Sequence, residues 1–164
     1  MIKTLTLFVG AVLLCSTAAQ AVPVSGQGTW ETTLQARDLN GAGVTDAFYD
    51  TELNVTWLRD ANANGLMNWN AAKNGASNLV VGGYTGWRLP TIVDTGTQSC
   101  NISHGGTDCG DNVQTKSGSA VYSELAHLYY TTLGNKGYSQ PGYGLANAGN
   151  FQSFQTNIYW SGTE

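Results

Sequence analysis

A third of this chain is glycine, threonine or asparagine, and that punctuation limits what it can fold into. The 164 residues include 21 Gly, 19 Thr and 14 Asn. Each Gly weakens a helix interior by up to about 1 kcal/mol relative to Ala, and Thr and Asn favour strands, caps and turns. A coiled coil, helical bundle or helical solenoid needs Ala, Leu, Glu and Lys in quantity, so none of these is expected. Charged residues are only 11% of the chain, against roughly 25% in an average globular protein. Five Trp, eight Tyr and four Phe supply enough aromatic surface for a core, which argues against a disordered tail. The net charge of −4, with seven basic residues, argues against a nucleic-acid partner. The length suits one domain.

Residues 1–21 read as a secretory signal peptide. Lys3 is the positive n-region, Leu5 to Leu14 is a ten-residue apolar run, and Ala19-Gln20-Ala21 is an A-x-A cleavage site before Val22. The run is too short to span a bilayer about 30 Å thick. Cys15 raises a lipoprotein anchor, but Leu14 stands where that signal needs a small residue. The mature chain then carries six bases against eleven acids, a charge of −5, and no membrane span. It keeps two cysteines, Cys100 and Cys109. In an exported chain these are expected to form a disulfide pinning a Gly-rich loop. The competing reading is a metal site with His104, which lacks a fourth ligand nearby.

Periodicity places the elements coarsely. Gln27 to Gln35 alternates, with Trp30, Thr32 and Leu34 on one face of an expected strand. Phe48 to Leu58 is a second strand candidate, with Leu53, Val55 and Trp57 at spacing two. Asn68 to Leu79 reads as a short helix ended by Gly82 and Gly83, and Pro90 holds Leu89 extended. Thr95 to Ser117 is a polar loop carrying both cysteines. Ser119 is the expected cap of a second helix, Ala120 to Leu133, with Gly134 ending it. Lys136 to Gln155 is a Gly- and Asn-rich loop punctuated by Tyr138, Tyr143, Phe151 and Phe154. Asn157 to Ser161 is a final short strand with Ile158 and Trp160 on one face, and a domain ending there reads as incomplete at its C-terminus.

Three stretches carry a family resemblance. They are Tyr49 to Trp57 (YDTELNVTW), Gly83 to Thr91 (GYTGWRLPT) and Tyr159 to Thr163 (YWSGT), with Trp69 opening the helix between the first two. In this order they resemble the Lcl C-terminal domain family, over Ala47 to Glu164. The resemblance implies an α+β, C-type-lectin-like fold: two helices with small twisted antiparallel sheets and long loops, its last strands missing here. It makes Trp57, Trp69, Trp87, Arg88, Leu89, Pro90, Glu124 and Trp160 the structural motif. It divides the chain into the signal peptide 1–21, an N-terminal strand and turn 22–46, and the Lcl C-terminal-like domain 47–164. The family's Glu-Leu follows shortly after Pro-Thr and opens the second helix; here Glu124-Leu125 arrives later, so the cysteine loop reads as an insertion. The Gly-rich style is also similar to bacterial surface proteins that carry a PEP-CTERM sorting tail, though no such tail stands in this sequence. The named family member binds sulfated polysaccharides, a ligand that a charge of −5 disfavours.

Few residues invite chemistry. Asp60-Ala61-Asn62-Ala63-Asn64-Gly65 matches the first half of an EF-hand calcium loop, but position twelve is Ala71 in place of a bidentate Glu. Asp60, Asn62 and Asn64 therefore read as a weak calcium loop at most, or as an Asx-rich turn capping the next helix. Arg88, in a segment expected to be buried, needs a carboxylate, for which Glu124 and Asp94 are the candidates. His104 and His127 lie in different contexts, and Ser161 lacks a nucleophile elbow. Asp94, Asp108 and Asp111 read as a solvated acidic loop. Formylglycine-generating enzymes share the fold class, but a disulfide-held cysteine pair supplies none of their reactive thiol. The expectation is a secreted or cell-surface, non-enzymatic domain without a cofactor. It would serve adhesion or the binding of a carbohydrate or matrix ligand; the alternatives are a structural spacer without a specific ligand, or an enzyme with an unrecognised site.

Overall fold

A computed structural model describes residues 21–93, 116–138, 140–156 and 158–162. The expected signal peptide lies outside these, apart from Ala21. The described elements run α1 (Trp30–Thr33), β1 (Leu34–Arg37), β2 (Ala47–Asp50), β3 (Val55–Leu58), α2 (Trp69–Asn78), β4 (Lys116–Ser117), β5 (Ala120–Val121), α3 (Glu124–Ala126) and a π-helical turn, His127–Thr132. The class is α+β. The main sheet is antiparallel in the order β1-β2-β3, and β4 and β5 form a separate hairpin.

The expected strand Phe48 to Leu58 is two strands. Asp50 breaks it: its Oδ1 accepts from the backbone N–H of Glu52 at 2.9 Å and of Leu53 at 3.1 Å, an Asx turn that reverses the chain. Asn54 then takes φ of 55°, a left-handed conformation that Asn tolerates. The returning register pairs Phe48 with Trp57 and Asp50 with Val55. Asp50 is fully buried and its Oδ2 also accepts from Trp57 Nε1 at 3.2 Å, so one carboxylate shapes the turn and ties its second strand down.

The first expected strand is displaced. Residues 30–33 make one helical turn, and the strand occupies 34–37. Thr29 N donates to Thr132 O at 2.8 Å, which docks this turn on the π-helical turn and drops Trp30 into the core. Helix α2 forms as expected, with Asn68 Oδ1 accepting from Ala71 N at 2.9 Å. The second expected helix starts late. Residues 120–121 are spent on the β4–β5 hairpin, so the cap is Ser123, which accepts from Ala126 N at 3.1 Å, and not Ser119. No strand forms at 158–161 among the described residues, and Ile158 is 90% exposed.

The core joins one face of the sheet to the π-helical turn and the loop before Gln155. Trp30, Phe48, Leu128, Leu133, Ala148, Phe151 and Phe154 form it, with Phe48 and Phe151 edge to face at 5.0 Å. Beside it, Asn135 and Asn147 form a buried polar knot. Asn135 Oδ1 accepts from Ala146 N and Asn147 N, while Asn147 donates to Leu133 O and accepts from Gly149 N. Buried amides need such partners, and these fix an irregular loop without a sheet.

Candidate functional site: a groove beside the edge strand

Away from the residues of the knot, the chain builds a groove of about 550 Å³, with neither Asn135 nor Asn147 among its described lining residues. One wall is the hairpin end and strand β3, from Asn54 to Trp57; the other is Tyr84 to Arg88, and Arg37, Leu39, Pro90 and Glu124 also line it. The second wall starts at a two-residue turn. Val81 and Tyr84 exchange both backbone hydrogen bonds, at 3.1 and 2.9 Å, around Gly82 and Gly83 with φ of 57° and 85°. Both central residues at positive φ define a tight hairpin turn that Gly accommodates. A Cβ on Gly82 would also stand 2.6 Å from Leu39 Cβ, so the turn lies flush against the segment that follows β1. Trp87 Nε1 donates to Tyr84 O at 3.2 Å, holding the two aromatic residues in one short loop.

Arg88 fixes the wall's other end. Its guanidinium grips Glu124 through two bonds of 2.7 Å, and Thr91 N donates to the same carboxylate at 2.8 Å. The Glu124 backbone N–H returns a bond to Thr91 O at 3.1 Å. Burial pushes the Glu124 carboxyl up, but the hydrogen bonds from Arg88 and Thr91 outweigh it, and its pKa lies below the ordinary carboxylate value. Arg88, hydrogen-bonded to Glu124, is raised. Of the two candidate partners, Glu124 makes the pair; Asp94 lies outside the described residues. The expectation that Arg88 is buried is corrected: its side chain is 52% exposed against 10% for Glu124, because the flat guanidinium covers the carboxylate from the solvent side.

The three signature stretches meet here, although their tryptophans do not form the core. Trp57, the stretch from Tyr84 to Arg88 and Pro90 line the groove together. Gly162 N donates to Pro90 O at 2.8 Å, Trp69 Nε1 to Ser161 O at 2.8 Å and Trp160 Nε1 to Met67 O at 2.8 Å. Trp57, Trp69 and Trp87 are half-buried, and Trp160 is 42% exposed. Their indole N–H groups close loops onto one another, a clasp around the core in place of a share in it. Leu89 and Pro90 are half-buried within the clasp.

Other expected residues stand elsewhere. Asp60 Oδ1 accepts from Asn62 N at 3.0 Å, and Gly65 N donates to Asn62 O at 2.9 Å with Gly65 at φ of 69°. These bonds make an Asx turn, which either reading of the loop allows, while the helix cap falls to Asn68. Among the described residues no group of three His, Cys, Asp or Glu could hold a metal ion. His127 is buried with its Nε2 2.8 Å from Glu52 Oε2, a link between the π-helical turn and the hairpin. Cys100, Cys109, His104, Asp108 and Asp111 lie outside the described residues. Arg37, Thr56 and Tyr84, which the groove brings together, were not singled out from sequence; the displaced first strand hid Arg37. No helix among the described residues is long and apolar enough to cross a membrane. No family model matches the chain, and no curated protein or solved structure matches it significantly.

Proposed function

We propose that this chain is an exported, non-enzymatic domain of a cell surface or secreted layer, of C-type-lectin-like type, and that it adheres to a carbohydrate or matrix ligand through the groove beside β3. The observation that carries this reading is the grouping of Trp57, Tyr84 and Trp87 with Arg37 and Arg88 around about 550 Å³, within the 300–1,000 Å³ usual for ligand sites. Tyr84 is 59% exposed, an amphipathic ring presented to solvent without a core to fill. The small antiparallel sheets joined by long loops support the lectin-like reading. Binding is favoured over catalysis because Glu124, the one carboxylate lining the groove among the described residues, is held ionised by Arg88 and Thr91. A carboxyl with a lowered pKa is a poor proton carrier near neutral pH.

The test is binding of the mature chain to a panel of neutral and charged glycans and a panel of capped unstructured peptides, wild type against Trp87→Ala and Tyr84→Ala. Saturable binding to either panel that weakens at least tenfold in both variants supports the groove. Binding to neither panel, or binding indifferent to both substitutions, contradicts it.

A further inference from the structure

The groove sees β3 from its side. Its wall takes Asn54, Val55, Thr56 and Trp57 in succession, whereas a strand viewed face-on would offer every second residue. β3 is also an end strand of the sheet. Arg59 N donates to Asp46 O at 3.0 Å, and with the register of Phe48 to Trp57 and Asp50 to Val55 this fixes the alternation of the ladder. Val55 and Trp57 turn their N–H and C=O groups toward β2; Thr56 and Leu58 turn theirs outward. Among the described residues no group bonds those outward N–H and C=O pairs. Beyond Leu58 the edge is closed, since Ala61 N donates to Gln152 O and Gln152 N to Arg59 O. An open register of two residues remains, its donors about 6.8 Å apart at about 3.4 Å per residue.

The geometry points to an extended polypeptide segment as the occupant, added as a fourth strand on β3. This rests on the groove being the binding site and names what enters it. A row of N–H and C=O groups at strand spacing is complemented by another peptide backbone. The side chains of the incoming segment divide between two faces. One continues the half-buried surface of Val55 and Trp57 and takes apolar residues. The other lies beside Thr56, on the sheet face that carries Arg37 and Tyr49. There Arg37 stacks over the Tyr49 ring at 5.0 Å and bonds only the neutral Gln35 amide at 3.1 Å, with no carboxylate paired to it among the described residues. Arg88 is already neutralised by Glu124, so the groove carries one surplus positive charge on a chain of net −4. The segment it fits alternates apolar with acidic residues.

The probes are capped heptapeptides alternating Val with Glu, the same with Lys for Glu, and the Val-Glu peptide N-methylated at alternate residues in either register. Amide hydrogen exchange of the mature wild-type chain is read with each. The Val-Glu peptide is expected to slow exchange at Thr56 and Leu58 and leave Val55 and Trp57 unchanged. Methylation in one register should weaken binding at least tenfold, and methylation in the other much less. The Lys peptide should bind more weakly than the Val-Glu peptide, with Arg37→Gln removing that preference. Thr56→Pro, which removes an outward N–H and leaves the β2–β3 ladder intact, should abolish the effect; if it does not fold, the methylated peptides decide. Equal binding of both methylated registers, or glycans binding the groove while every peptide fails, overturns the strand and leaves the groove standing. Failure of glycans and peptides alike overturns both.

Discussion

The two sides of this molecule use the same residue types to opposite ends. On the core side, glycine lets backbones touch: a Cβ on Gly134 would stand 2.6 Å from Gly28 N, and the asparagines around it are sealed by reciprocal bonds. On the groove side Gly82 makes a similar close approach, to Leu39, but the turn it forms leaves Tyr84 exposed and Trp87 half-buried. The core side spends its aromatic rings on one another, as in Phe48 against Phe151. The groove side leaves them facing an open edge. Aromatic content therefore marks both a packed core and an exposed groove wall in this chain, and what separates them is whether the rings pack on one another or face solvent.

The sharpest way to break that contrast is to delete a ring on each side. Phe48→Ala, 4% exposed in the wild type, is expected to cost about 3–5 kcal/mol in urea unfolding. Arg88→Ala strips two hydrogen bonds from the mostly buried Glu124, while half the guanidinium is solvated; the expected loss is about 1–3 kcal/mol. That loss depends on pH with a definite sign. Because the folded pKa of Glu124 lies below its ordinary value of 4.5, the wild-type advantage is complete above about pH 4.5 and fades as pH falls through the lower folded value. Urea midpoints of both proteins between pH 2 and 7 would measure it. Asn68→Ala removes the cap of α2 at an expected cost of about 1 kcal/mol, read by the same unfolding curves. Tyr84→Ala, at 59% exposure, should shift stability by no more than about 0.5 kcal/mol while removing ligand binding. A large destabilisation there would make the groove wall a structural element.

The pairing of Arg88 with a carboxylate was legible because a guanidinium beside Trp87 and Leu89 needs one, and helix α2 was legible from the spacing of Trp69, Ala72, Ala76 and Leu79, although its cap proved to be Asn68 and not the Asp60 turn. The Asp50 turn was not, since Leu53, Val55 and Trp57 alternate across it as if the strand ran on. What betrays the turn is the buried Asp50 carboxylate, a tertiary fact. The late start of the second helix was hidden likewise, because Ser119 and Ser123 are equally good caps and only the β4–β5 hairpin chooses between them. The groove was legible only in part: the resemblance grouped the stretches that hold Thr56 and Tyr84, but nothing in the sequence joined either to Arg37. The resemblance named the signature tryptophans as a structural motif without saying how they act; their indole N–H groups bond backbone carbonyls and a carboxylate at the core's margin.

The account stands or falls on where a ligand touches. Amide chemical shifts of residues 22–164, titrated with the strongest binder from the glycan and peptide panels, test this directly. The shifts should concentrate at residues 54–58 and 84–88 and leave Asn135 and Asn147 still. Shifts gathered instead at Tyr138 and Tyr143, the exposed ring pair at 5.6 Å, would place recognition on another surface and contradict it.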